Sequence, residues 1–131
     1  MGGSSSTPQP PPLSEQSKKI AQEVKENAIV IYTKDGCGYC VKAKNELYED
    51  KIHYTEKNLN TIAKVIPNPE EYVRGLMDLT RQRTVPQIFI CGKFVGGYTE
   101  LNALRPNLAK ILETCSVDNG ETLRREFTSK I

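Results

Sequence analysis

Hydrophobic positions first recur with a helical period: Leu13, Ser17, Ile20, Ala21, Val24 and Ala28 trace one stripe, Ser14 is placed to cap it, and Glu15 suits the first turn. This predicts a helix of about twelve residues from Ser14. The pattern then changes. Ala28 to Tyr32 is an unbroken apolar, β-branched run, too short for a helix, which predicts a strand buried on both faces. Helix formers return from Cys37 to Lys51, with Cys40, Ala43 and Leu47 on one face and lysines on another. Ile52 to Leu59 reads as a second strand. Asn68-Pro69-Glu70-Glu71 has the composition of a helix start, with a capping residue, proline in the first turn and acids facing the dipole. That helix is expected to reach Thr80 and to bury Tyr72, Leu76 and Leu79. Pro86 to Ile90 predicts a third strand, Gly92-Lys93 a turn and Phe94-Val95 its partner, after which Gly96-Gly97 breaks the chain. Leu101, Leu104, Leu108, Ile111, Leu112 and Cys115 repeat at helical spacing, interrupted at Pro106, where the helix should kink or restart.

The predicted order is α-β-α-β-α-β-β-α. A βαβ half with parallel strands, joined through a helix to an antiparallel hairpin and a closing helix, makes a four-stranded mixed sheet flanked by helices on both faces, the thioredoxin-like architecture. Its 131 residues, 37% of them apolar, suit one small domain. That domain is expected at 14–115, between a disordered Gly/Ser/Pro-rich leader at 1–13 and a polar tail at 116–131.

Charge adds little: the net is +2 without a basic block, so a nucleic-acid partner is not expected. No stretch has the roughly 18 to 20 apolar residues needed to cross a bilayer. The first dozen residues lack the arginines of a mitochondrial transit segment, and four unevenly spaced cysteines do not resemble a secreted disulfide framework. A reducing, cytoplasmic location is expected. Met1-Gly2-Gly3-Ser4-Ser5-Ser6 fits the pattern read by myristoyl transferase, and equally fits a plain Gly/Ser tail. Membrane contact is expected only if Gly2 is acylated, and one acyl chain alone anchors marginally.

Cys37 and Cys40 lie one helical turn apart, directly after the first strand. A zinc ribbon needs a second pair at matched spacing, and Cys91 and Cys115 appear isolated from each other and from any histidine. The lone His53 has no second histidine to pair with and is given no role. A permanent bridge across two residues constrains the unfolded chain little. At a helix amino terminus, however, Cys37 meets unpaired N–H groups and the positive end of the dipole, which stabilise a thiolate. This marks Cys37 as nucleophile and Cys40, more buried and on the same face, as resolver. Gly38 keeps an amide that a proline would remove, and Tyr39 is placed to wall a substrate groove. Cys91 and Cys115 read as small apolar residues, buried or half-buried.

The segments TKDGCGYCVKAK, TRQRTVPQIFI and FVGGYTEL, in this order, resemble a glutaredoxin of the two-cysteine class over about residues 14 to 115. The resemblance implies a cis-proline in Thr84-Val85-Pro86 facing the cysteines. It also implies a groove in which the cysteinyl backbone of glutathione pairs with the main chain of Val85. Lys34 and Gln82 would hold one carboxylate end, and the Gly96-Gly97 turn with Thr99 and Glu100 the other. Two positions depart from the family pattern: Glu100 stands where aspartate is usual, and Tyr98 where a small residue is usual.

The reaction so implied is glutathione-dependent reduction of protein–glutathione mixed disulfides through Cys37, and of protein disulfides through Cys37 and Cys40, by a monomer. One alternative is a [2Fe–2S] cluster shared by a dimer and ligated by Cys37 and glutathione from each protomer. Gly38 permits it, although the cluster-trafficking branch typically has serine where this chain has Cys40. Another is a plain binding module that docks partners through the hairpin.

Overall fold

The computed structural model describes residues 12–118. The expected Gly2 acylation signal and most of the leader and tail lie outside the described residues. The chain forms α1 (Glu15–Glu23), β1 (Ile29–Thr33), α2 (Gly38–Glu49), β2 (Thr55–Asn58), α3 (Leu59–Ala63), α4 (Pro69–Thr80), β3 (Gln87–Ile90), β4 (Lys93–Gly96), α5 (Tyr98–Leu104), a 3-10 turn (Arg105–Asn107) and α6 (Leu108–Asp118). The sheet order is β2-β1-β3-β4, with β1 parallel to β2 and the other pairs antiparallel.

The apolar strands sort their side chains by the two-residue period of the pleat. Ile29 and Ile31 of β1 lie opposite Ile90 and Ile88 of β3, and Val30 lies opposite Phe89. The isoleucines pack with Ala43 and Leu47 of α2, Leu101 of α5, and Leu108 and Leu112 of α6. Val30, Tyr32 and Phe89 face the other side, among Ile20 and Val24 of α1, Leu59 of α3, and Tyr72 and Leu76 of α4. A sheet buried on both faces explains why β1 and β3 read as unbroken apolar runs. The result is the thioredoxin-like fold expected from the element order.

Ser17 and two tyrosines bring hydroxyls into this core, and each is paired. Ser17, on the apolar stripe of α1, donates to the Gly75 carbonyl of α4 at 2.7 Å. The hydroxyls of Tyr32 and Tyr72 lie 3.1 Å apart, and both donate to Glu23. Burial, with the bonds to Glu23, pushes both phenols well above their ordinary range.

Several boundaries differ from the sequence reading. Thr55, not Ile52, begins β2, because the Ile52 amide is spent on the Leu47 carbonyl, closing the end of α2. Leu59 starts a helix instead of ending a strand, since Asn58 caps it by accepting from the Thr61 amide at 3.0 Å. Asn68 makes no side-chain cap, leaving Pro69 and the two glutamates to start α4. The hairpin turns at Cys91-Gly92, one residue early, with positive φ at both positions (56° and 81°). Pro106 interrupts the last helix as expected, but α6 runs on to Asp118.

The largest correction concerns Cys91 and Cys115. They are not isolated: a disulfide joins them across a sequence separation of 24, with Cα atoms 4.9 Å apart. The hairpin turn meets one face of α6, a contact that no local pattern encodes.

Candidate active site: a cysteine pair at a helix start

The site forms where β1 ends and β3 begins. Cys37 is the N-cap of α2, and its sulfur accepts the Cys40 amide at 3.1 Å. Cys37 is half-exposed and Cys40 only 2% exposed, the asymmetry expected of a nucleophile and a resolver. In this structure the two are joined by a disulfide, with Cα atoms 5.2 Å apart. No side chain crowds the first of the two residues between them: a Cβ built on Gly38 meets nothing within 4 Å.

Opposite the pair, the Val85–Pro86 peptide is cis, and the Val85 carbonyl oxygen lies 3.7 Å from the Cys37 sulfur. Two glutamines brace this loop. Gln82 donates to the carbonyls of Thr84 (2.9 Å) and Pro86 (3.2 Å). Gln87 donates to those of Gln82 (2.7 Å) and Thr84 (3.2 Å). Both N–H groups of the Gln82 amide are therefore turned to its own loop. Lys34 is exposed beside the cysteine turn, and Tyr39 is 60% exposed.

The Gly-Gly turn closes the arrangement. Gly96 has φ +126, a conformation that favours glycine, and a Cβ on Gly97 would lie 3.3 Å from the Pro86 carbonyl oxygen. Glu100 caps α5 by accepting from the Gly97 amide at 2.8 Å, and Thr99 is exposed alongside. The structure thus groups Cys37, Cys40, Val85, Pro86 and Gly97 around one end of the sheet, with Lys34 and Tyr39 on the cysteine side and Thr99 and Glu100 on the turn side.

Sequence reading missed the braces behind the site. The Asp35 amide donates to Asn60 at 2.8 Å, and Asn58 donates to the Asp35 carboxylate at 3.0 Å, so α3 holds the loop ahead of Cys37. Glu56 accepts from Thr33 (2.6 Å) and Lys44 (3.0 Å), joining β1, β2 and α2. Burial raises the Glu56 carboxyl, but those two bonds outweigh it and the net shift is downward. On the other side, Glu46 of α2 accepts from Tyr98 and Asn102. Asparagine at a strand end was the one readable signal, as a helix cap.

The glutaredoxin family model matches residues 29–95. Glutaredoxin-2, mitochondrial, of Bos taurus is 29% identical over 105 residues, which span 79% of this chain and 64% of that protein. Glutaredoxin-C5, chloroplastic, of Arabidopsis thaliana is 31% identical over 111 residues, spanning 83% of this chain and 62% of that protein. The chain thus covers under two thirds of either relative's length. The crystal structure of a buckwheat glutaredoxin–glutathione complex superposes with a TM-score of 0.63 at 28% identity, over 80% of this chain and 97% of that one.

These relatives overturn the cytoplasmic expectation. One is named mitochondrial and the other chloroplastic, which points to an organelle. The arginine-poor first residues that suggested otherwise are a compositional signal that does not outweigh the relatives' names. The matched span contains both Cys37-Gly38-Tyr39-Cys40 and the cis-proline, and the chain belongs to the glutaredoxin family, with the paired cysteines of its dithiol class.

Proposed function

We infer that this chain is a glutathione-dependent thiol–disulfide oxidoreductase, acting on protein–glutathione mixed disulfides and on protein disulfides. One observation carries the reading: the half-exposed Cys37 sulfur sits at the start of α2 and accepts the Cys40 amide at 3.1 Å, whereas the Cys40 sulfur is buried behind it. Once the pair is reduced, that amide and the helix dipole stabilise a Cys37 thiolate, and nothing comparable favours ionisation of Cys40.

The Cys37 thiolate attacks the glutathionyl sulfur of a mixed disulfide; the old S–S bond breaks, the protein leaves as a thiolate, and Cys37 carries the glutathionyl group. A second glutathione thiolate attacks that group, forming glutathione disulfide and restoring Cys37. With a protein disulfide, Cys37 forms the mixed disulfide and Cys40 displaces it, leaving a Cys37–Cys40 bond that two glutathiones reduce.

The glutathione complex of the buckwheat relative supports glutathione as the co-substrate; on this chain its groove would run from Lys34 past the Val85 main chain to Gly97 and Thr99, with Tyr39 and Pro86 as walls. Gln82 serves this groove through the loop it braces, and Glu100 through its cap on Gly97. The residues present do not favour the cluster alternative. The cluster needs an unpaired Cys37 from each protomer, whereas here Cys37 is joined to Cys40, the position at which the cluster-trafficking branch typically has serine.

A glutathione-coupled assay on a glutathionylated peptide tests the reading. The expected result is steady turnover by the wild-type protein; absence of turnover, with partner binding unaffected by Cys37→Ser, would leave a binding module instead.

A further inference from the structure

Tyr98, one of the two departures from the family pattern, is the first residue of α5 and follows Gly97 directly. Its side chain crosses to α2. The hydroxyl donates to Glu46 Oε2 at 2.7 Å, and the ring packs against Tyr39 with centroids 5.7 Å apart. The Lys42 ammonium lies 5.2 Å from the Tyr39 centroid and 5.8 Å from that of Tyr98. Glu46 is 9% exposed, and the same oxygen accepts from Asn102 at 2.8 Å and pairs with Arg105 at 3.5 Å. Positions 98, 102 and 105 share one helical face, so a single carboxylate gathers three donors from it. Arg105 extends the seam to Glu49 and Asp50. The Glu46 carboxylate, with burial, holds the Tyr98 phenol above its ordinary range, so it remains a donor.

We propose that Tyr98 is a positioning residue, which fixes the Gly96-Gly97 turn relative to Cys37 and so sets the width of the glutathionyl groove. The proposal rests on the functional reading above. The two sides of the groove belong to different elements: Cys37 starts α2, and the turn leads into α5. A charge-assisted hydroxyl–carboxylate bond in a half-buried setting is a stiff tie between them. Asn102 and Arg105 hold the same Glu46 oxygen from further along the chain, so of the three donors only the Tyr98 hydroxyl belongs to the residue that follows Gly97.

Tyr98→Phe keeps the ring and its contacts with Tyr39 and Lys42 and removes only the tie; Arg105→Gln cuts the far end of the same seam. With a glutathionylated peptide, Tyr98→Phe should raise KM about three- to tenfold and change kcat less than about twofold. Arg105→Gln should lower the melting temperature and leave KM near wild type. Amide hydrogen exchange over residues 96–99 supplies a readout independent of activity, expected to quicken in Tyr98→Phe and to hold steady in Arg105→Gln. If the wild type fails to turn over the peptide, the functional reading falls, and the exchange rates still decide whether Tyr98 positions the turn. Unchanged exchange in Tyr98→Phe would overturn the proposal, as would an unchanged KM in an active enzyme. An equal KM rise in both variants would assign positioning to the whole seam and overturn the place given to Tyr98.

Discussion

The two disulfides lie at opposite ends of the same sheet, and their surroundings differ in kind. Cys37–Cys40 follows the carboxyl end of β1, at the start of a helix, with an amide N–H pointing at the half-exposed sulfur. Cys91–Cys115 joins the hairpin turn at the other end to α6. The sulfurs there lie near carbonyl oxygens, Cys91 at 3.7 Å from Ile111 and Cys115 at 3.4 Å from Leu112, as Cys37 does at 3.7 Å from Val85, but Cys115 is 0% exposed and the amide contact is what sets Cys37 apart. An N–H dipole stabilises a thiolate, whereas a carbonyl dipole and an apolar surround oppose one. On the proposed function, identical chemistry takes opposite uses by position: the first bond is the one to open in a reaction, and the second ties the hairpin turn to the last helix.

The strongest way to break this contrast is to remove sulfurs from the reactive end. Cys37→Ser should abolish turnover of both glutathionylated peptide and protein disulfide, by at least about a thousandfold, because a hydroxyl there is too weakly acidic to replace the thiolate. Cys40→Ser should keep deglutathionylation and lose the protein-disulfide route. Equal loss of deglutathionylation in the two variants would mean that Cys40 does more than resolve.

Selective reduction sharpens the contrast next. Treatment with glutathione, followed by alkylation and mass spectrometry, should label Cys37 and Cys40 while Cys91 and Cys115 stay bridged. Attack on the half-exposed Cys91 would have to expel a Cys115 thiolate into the core, which is a poor leaving path. Simultaneous labelling of all four would show that burial does not protect the second bond.

How much of this was legible follows the same division. The strands β1 and β3 were readable because apolar runs report burial on both faces, and the helix start at Cys37 because turn, cysteine spacing and helix formers are local signals. Glu46 meets Tyr98 across 52 positions and Cys91 meets Cys115 across 24, and neither contact leaves a periodic trace. Even α3 was misread, since Leu59 continues the second strand's pattern and only the Asn58 cap argues otherwise. Most local element signals were legible; ties between distant elements were not.

Cys115→Ser tests the structural end alone. Opening a loop of this length should cost about 3 kcal/mol of stability in the chain-entropy account, seen as a lower melting temperature under oxidising conditions. Peptide turnover at moderate temperature should be unchanged. Wild type and variant should melt alike once both are treated with a strong reductant, and a persistent gap would mean that the bond is not what stabilises this end.

The smallest effect belongs to two braces that titrate, Glu56 between β1, β2 and α2 and Asp50 at the end of α2 away from Cys37, whereas the second disulfide is covalent. Arg105 bonds hold the Asp50 carboxyl below its ordinary 3.8, and Thr33 and Lys44 outweigh burial to hold Glu56 below its ordinary 4.5. A carboxyl that ionises more readily folded than unfolded contributes stability that is fully present above the unfolded value and is lost as pH falls through the folded one. Melting temperature should therefore decline modestly as pH drops from about 5 toward about 3, less than on loss of the second disulfide. Arg105→Gln removes the cause of the Asp50 shift, so its decline over that window should be shallower than wild type, while carboxylates that Arg105 does not touch titrate alike in both proteins and cancel. Parallel declines would show that the Asp50–Arg105 pair contributes nothing that acid can remove, and that the α2–α5 seam rests on Tyr98 and Asn102 instead.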